Sequence, residues 1–175
     1  MGPAHLLHLA RRFFGSLWPR GPSAGDERWA QSQLLPGEVD LWIEMSGPDR
    51  RHAVGVARHT VTELGEDATR PVLAAALLHD VGKIESALGP VSRSIATVVG
   101  WFAGRDRAES WSRRPRGLRS RFGRYLCHDR LGASLLEDAG SDDLTIAWAR
   151  DHHLPPDRWH APTRVGQALK AADDD

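Results

Sequence analysis

The 175-residue chain has little cysteine, no net charge and no long apolar run, and each of these absences excludes a class of protein. A single cysteine, Cys127, excludes an internal disulfide and fits a reducing, cytoplasmic environment; we expect it to be buried. The 23 basic residues balance the 23 acidic ones, so stable nucleic-acid binding is not expected. No stretch approaches the roughly 18 apolar residues that a membrane-spanning helix requires. The length fits one domain with a substantial core.

A short amphipathic segment opens the chain. Leu6, Leu9, Phe13 and Leu17 recur at helical spacing and predict a helix over 4–18, which Pro19 ends. This helix either packs on the domain, which is the commoner case, or makes a peripheral contact with a membrane or another protein. We therefore divide the chain into an N-terminal helix and linker, residues 1–25, and one domain, residues 26–175.

The remaining sequence lacks the alternating apolar and polar pattern of strands, so we predict an all-α bundle. The helix that follows Pro71 is apolar nearly all round and should be central, and we expect it to carry His79 and Asp80. In the helix over 91–103, the residues expected to face inward are Ile95, Val98, Val99 and Phe102. Further helices are predicted over 27–34, 37–45, 49–64, 120–138, 142–152 and 163–172.

The segment 105–124 differs from its surroundings because it is rich in arginine. This stretch contains eight arginines and only two acidic residues, Asp106 and Glu109. Such density predicts an exposed loop or lid inserted into the domain. It either is simply solvated or binds a phosphate or nucleotide through bidentate guanidinium contacts.

The dipeptide His79-Asp80 lies within the apolar run from Val72 to Ile84. Burying an imidazole and a carboxylate without partners would be costly, so something must satisfy them. A divalent metal is one explanation, because both groups are good ligands for zinc, iron or manganese. A hydrogen-bonded pair that caps its own helix is the other.

Further histidines and aspartates complete an ordered pattern, H…HD…H…HH…D. This order, with the sequence LLHDVGK around the HD pair, resembles the HD-domain superfamily of metal-dependent phosphohydrolases over roughly residues 49–174. It looks closest to the branch with two metals, which includes the HD-GYP phosphodiesterases. Its members in this chain are His52, His79, Asp80, His128, His152, His153 and Asp173.

The resemblance implies an HD-domain helical bundle with a two-metal site, of iron or manganese or alternatively zinc. His52, His79, Asp80 and Asp173 would hold one ion, and His128, His152 and His153 the second. Asp80 would bridge the two ions, since a carboxylate has two oxygens to share. Asp80 and Lys83 would be catalytic, with the Lys83 ammonium contacting a substrate phosphate.

The implied activity is hydrolysis of a phosphoester bond in a nucleotide, a cyclic nucleotide or a related phosphorylated metabolite. Two alternatives remain open, namely a binding or signalling module with little activity and a mononuclear nucleotide phosphohydrolase. Leu154-Pro155-Pro156 replaces the Gly-Tyr-Pro region, which argues against cyclic di-GMP as the substrate. Asp174 could replace Asp173, and we expect Asp129 to be solvated and His59 to lie outside the site.

Overall fold

A computed structural model describes residues 20–174, except for the side chains of Pro90 and Val91. The helix predicted over 4–18 lies outside these residues. Within the described part of the chain every regular element is helical, which confirms the predicted all-α class. No helix among these residues is long and apolar enough to cross a bilayer. The α-helices are α1 (Ala24–Ser32), α2 (Pro36–Glu44), α3 (Gly47–Leu64), α4 (Arg70–Leu78), α5 (Pro90–Ala103), α6 (Arg105–Ser112), α7 (Leu118–Leu126), α8 (His128–Asp138), α9 (Asp143–Asp151) and α10 (Thr163–Asp174).

The helix α4 is the centre of the bundle. All residues from Val72 to Leu78 are buried, as expected for a helix that is apolar on every side. It packs against α3 and α9, while α10 packs on α3 and α8 on α9. Burying a helix on all sides fixes its C-terminal end, and the chemically active residues follow immediately after that end.

The prediction that α4 carries His79 and Asp80 is wrong in detail. The helix ends at Leu78, and Asp80 has φ −100° and ψ 6°, outside the α-region. A short 3₁₀ segment, Val81–Ser86, follows and packs against α8. This change of direction brings Asp80 to the start of α8, which a continuous helix would not do.

Gly82 explains why the chain turns there. A Cβ at this position would lie 2.0 Å from the carbonyl oxygen of His128 and 2.6 Å from the backbone nitrogen of Gly132. The 3₁₀ segment and α8 therefore touch backbone to backbone, which only glycine permits. The contact sets the distance between the two HD dipeptides of the chain, at 79–80 and 128–129.

We expect Gly82→Ala to destabilise the protein by about 2–4 kcal/mol, because the new methyl group must push the backbone of α8 away. The displacement also moves His128 from Asp80, so metal binding should weaken. Urea unfolding and metal titration would measure the two effects. Gly55→Ala is the matched control, since a Cβ there meets nothing within 4 Å. If the Gly82→Ala and Gly55→Ala variants had the same free energy of unfolding, the close approach of Gly82 to α8 would not position the site.

The structure corrects two boundaries. The helix predicted over 120–138 is broken at Cys127, which is buried as expected and has φ −110°. This break separates α7 from α8 and places His128 at the first position of α8. At the other end of the domain α1 begins at Ala24 rather than 27, because the Ser23 side chain accepts from the backbone N–H of Asp26.

The segment 105–124 is not the predicted loop but consists of α6, a short connection and most of α7. The two helices pack closely, since a Cβ on Gly123 would lie 2.2 Å from the backbone nitrogen of Ser112. Arginine is a good helix former, so density of charge alone does not prevent a helix. The predicted exposure of this segment is confirmed for most of its arginines.

The predicted inward face of α5 is also wrong. Ile95, Val98 and Phe102 are exposed, whereas Ala96 is buried and Val99 is partly buried against Phe122. The helix packs chiefly on α7 and α6, so of its several apolar faces it buries the one turned toward them. Periodicity cannot choose that face when apolar residues occupy both.

Candidate metal centre

Five elements of the fold meet at one place in the bundle. α3 contributes its N-terminal half, α8 its first residue and α10 its C-terminal end, while α4 and α9 each contribute residues just after their last turn. Helix ends and short segments position the side chains, so each comes from a different direction. The structure brings together all seven residues of the sequence pattern: His52, His79, Asp80, His128, His152, His153 and Asp173.

Three of the histidines are oriented in the same way. In His79, His128 and His152 the Nδ1 atom lies 3.0, 2.7 and 2.9 Å from the backbone carbonyl oxygen three residues earlier. A carbonyl only accepts, so each Nδ1 carries the proton and donates it. The Nε2 atom of each neutral ring is then a free lone pair, as in histidines that bind metals.

Asp80 lies between two groups of these nitrogens. Its Oδ1 is 3.2 Å from Nε2 of His128 and 4.0 Å from Nε2 of His152. Its Oδ2 is 3.4 Å from Nε2 of His79 and also pairs with the ammonium of Lys83. The two oxygens thus face different partners, which is the arrangement that a bridging carboxylate requires.

Asp173 closes the first group. Its Oδ1 is 3.0 Å from Nε2 of His52 and 3.5 Å from Nε2 of His79. Asp174, the alternative considered from the sequence, is exposed and pairs with Lys170 on the surface. The α10 helix therefore directs Asp173, and not Asp174, toward the histidines.

His153 belongs to the second group and faces solvent. Its Nε2 lies 3.1 Å from Nε2 of His128, whose lone pair points toward it. Two imidazole nitrogens at this distance repel unless a proton or a cation lies between them. His153 is exposed and the side chain of His52 is partly exposed, so the centre is most accessible on the side of these two residues.

Two buried nitrogens in the centre have no hydrogen-bond partner. These atoms are Nε2 of His79 and Nε2 of His152, and each ring is almost completely buried. A buried donor or acceptor without a hydrogen-bond partner costs about 1–3 kcal/mol, so a fold that retains two such atoms in one place needs a reason. His/carboxylate donor sets suit divalent transition metals, and two such sets have all their ligand atoms within 4.8 Å: His52, His79 and Asp80, and His128, His152 and His153.

The two carboxylates dominate the electrostatics. Burial alone would raise the pKa of Asp80, but the Lys83 ammonium and His79 hold it well below its ordinary value. Burial likewise opposes ionisation of Asp173, yet His79 and His52 keep its pKa far below the usual range. Both groups are therefore anionic, which is the form of a carboxylate that binds a metal ion.

The histidines respond in opposite directions. Burial disfavours the charged form of His79, but Asp80 and Asp173 outweigh it and raise the pKa to about 10. Burial and the nearby positive charge of His79 lower the pKa of His152 to about 4. Near neutral pH the centre thus holds a proton on His79, next to a neutral His152 whose Nε2 has no partner.

This proton predicts a pH dependence of metal binding. A metal at His79 must displace the proton from Nε2, and the pKa of about 10 keeps that proton bound throughout the neutral range. We expect uptake of Mn²⁺ to release about one proton per His79 and the affinity to rise about tenfold per unit between about pH 7 and pH 9. Calorimetry in buffers of different ionisation enthalpy would count the protons. An affinity independent of pH over that range would contradict the assignment of His79 as a ligand.

Other residues outside the pattern also have structural roles near the centre. Asp129, expected to be solvated, is buried and pairs with Arg105, because α6 packs over that side of α8. Asp151 is buried as well and accepts from Nδ1 of His160 at 2.7 Å and from its backbone nitrogen at 3.1 Å. This contact holds the loop after His153 in place, and no local feature of the sequence predicted it.

His59 lies on the same helix as His52 but does not reach the centre, as predicted. Its Nε2 is 3.6 Å from the carboxylate of Glu63, one turn further along α3. It therefore offers a natural control for experiments on His52.

Comparison of the chain with protein-family models, curated proteins and solved structures gave no match. The assignment of a function therefore depends on the residues and geometry of the centre.

Proposed function

We propose that the chain is an HD-type, metal-dependent phosphohydrolase that cleaves a phosphoester bond of a nucleotide or a related phosphorylated metabolite. The observation that carries the proposal is the convergence of Nε2 atoms on the two oxygens of Asp80, with two of those nitrogens buried and unpaired. If the histidines of the centre were only hydrogen-bonded to their neighbours, each ring nitrogen would have a partner and no buried, unpaired Nε2 atom would remain.

The residues fit two metal ions of the iron or manganese type, with zinc as an alternative. His52, His79 and Asp173 would hold one ion and His128, His152 and His153 the other, with Asp80 shared between them. When bound, such ions supply Lewis-acid activation of a phosphate ester and of a water molecule.

The protein itself contributes orientation and charge. The carbonyls that accept from Nδ1 fix the rings of His79, His128 and His152, so the ligand atoms need no rearrangement. Lys83 pairs with Asp80 and has a side chain that is 17% exposed. Its ammonium is the cation of the centre best placed to bind a phosphate oxygen of a substrate that enters on the open side.

Metal counting combined with an activity screen tests the proposal. The protein would be stripped with a chelator, loaded with Mn²⁺, Fe²⁺ or Zn²⁺, and assayed with a generic phosphodiester and with mono-, di- and cyclic nucleotides. Two metal equivalents with turnover support the proposal. One equivalent with turnover indicates the mononuclear enzyme, tight nucleotide binding without turnover indicates the binding module, and no metal uptake at all overturns the site.

A further inference from the structure

The outer face of α5 carries four of the seven large apolar side chains that are exposed in the described part of the chain. Ile95 is 50% exposed, Val98 47%, Trp101 75% and Phe102 85%. These residues follow one another along the helix, and α5 contains no acidic residue. Aromatic and branched side chains gathered in this way mark a surface that binds something other than water.

The helices beneath this face carry unneutralised positive charge. Four exposed arginines of α6, α7 and their connection make no side-chain ion pair or hydrogen bond with any residue between 20 and 174: Arg107, Arg114, Arg116 and Arg119. The whole chain has a formal net charge of zero, so this excess is local. Guanidinium groups left without carboxylate partners are free to bind external anions.

The apolar face adjoins the helices that carry the arginines. A single residue, Gly104, separates α5 from α6, so Arg105 and Arg107 follow directly after Phe102. Trp101 and Arg105 line the same surface cavity, of about 200 Å³, together with Thr97 and Gly100. α5 packs on both α6 and α7.

A second exposed apolar residue lies among the arginines themselves. Leu118, at the start of α7, is 60% exposed and stands between Arg116 and Arg119 in the sequence. An exposed apolar side chain therefore accompanies the arginines of this segment as well.

We propose that this face, α5 with the arginines of α6 and α7, binds the surface of an anionic phospholipid bilayer. Tryptophan and phenylalanine favour the interface between headgroups and acyl chains, and arginines bind the phosphates beside them. Trp101 and Phe102 are the two most exposed side chains of this face and come just before the arginines of α6, so apolar groups and cations are available together for the acyl chains and the phosphates of a lipid surface. This proposal does not depend on the proposed phosphohydrolase activity.

Vesicle co-sedimentation of the full chain tests the proposal. Binding is expected to vesicles that contain about 30% phosphatidylglycerol and to be at least about tenfold weaker with phosphatidylcholine alone. The double variant Trp101→Ser/Phe102→Ser should reduce the partition coefficient on the order of tenfold or more, because it removes the groups that enter the bilayer. The double variant Arg116→Gln/Arg119→Gln should reduce it about thirtyfold at low salt, since each arginine near the anionic surface contributes a factor of about five.

The matched control is Ile43→Ser, which removes an exposed apolar side chain of α2 that is 56% exposed. It should leave vesicle binding unchanged. The other tryptophans mask the fluorescence of Trp101. Contact with the vesicles is therefore better followed through the quenching of a fluorescent label placed at position 98. The circular dichroism spectrum and the thermal unfolding of each variant, measured in parallel, confirm that the fold is intact.

Three outcomes would overturn the proposal. Equal binding of the wild type and the Trp101→Ser/Phe102→Ser variant is one. Loss of binding only in the full-length variant Leu9→Ser/Phe13→Ser would assign the contact to residues 4–18 instead. A concentration-dependent dimer in sedimentation equilibrium that the Trp101→Ser/Phe102→Ser variant abolishes, without vesicle binding by the wild type, would make the face an interface between copies of the chain.

Discussion

Asp80→Asn is expected to abolish metal-dependent phosphoester hydrolysis, with a decrease of at least about a thousandfold in kcat/KM. The amide of asparagine is neutral and offers one oxygen, so it cannot serve two groups of nitrogens in the way that the Asp80 carboxylate faces His128 and His79. The number of metal ions per chain should fall below two. Elemental analysis and the hydrolysis assay that identifies the substrate measure both effects.

The chain provides a matched control in its second HD dipeptide. Asp129→Asn makes the same chemical change at a buried carboxylate, but the oxygens of Asp129 pair with Arg105 and with the backbone N–H of Arg130. It should retain two metal ions and hydrolyse the substrate at a rate within about tenfold of the wild type. A folded Asp80→Asn protein that kept two ions and full activity would refute the bridging role.

Metal removal is expected to have the largest effect on stability. The ligands come from positions 52 to 173 and from five different helices or helix ends, so an ion bound only by the folded state joins most of the bundle. Metal at about a thousand times its Kd contributes about 4 kcal/mol, and two ions would raise Tm on the order of 15 °C for a chain of this size. Thermal unfolding followed by circular dichroism, with Mn²⁺ and with excess chelator, measures the shift.

Two histidines of α3 sharpen this experiment. His52→Gln removes a partner of Asp173 and should reduce the thermal shift, whereas His59, which lies beside Glu63 one turn along α3, is outside the centre and His59→Gln should not. If both variants kept the full shift, His52 would not bind the metal. If the wild type showed no shift with any of the three metals, the centre would be a hydrogen-bonded network of histidines and carboxylates instead.

Sequence patterns were sufficient where one local cause decides the outcome. The central position of α4 follows from a run that is apolar on every side, and the end of α3 follows from the glycine at position 65. The pattern of histidines and aspartates was also visible, since each residue type is chemically distinctive. All seven meet in the structure.

Patterns failed where two choices were locally equivalent. The helix α5 has apolar residues on more than one face, and only the packing of α7 selects Ala96 and Val99 for burial. Asp129 was expected in water because its side chain points away from the apolar stripe of α8, but α6 covers that side and brings Arg105 to it. The arginine content of 105–124 correctly predicted that the segment is exposed, but it wrongly predicted a loop where the structure has helices.

The sequence by itself thus determined the helical class, the buried helix before His79 and the set of residues able to bind metal, because composition, periodicity and residue chemistry are local properties. Only the tertiary structure decided that the chain leaves the helix at Leu78, that the two oxygens of Asp80 face separate groups of histidines, and that Asp173 rather than Asp174 faces them. Those results depend on a backbone contact between Gly82 and α8 and on helices joined across more than a hundred residues. Spacing along the chain does not encode such distances, because close packing in three dimensions sets them.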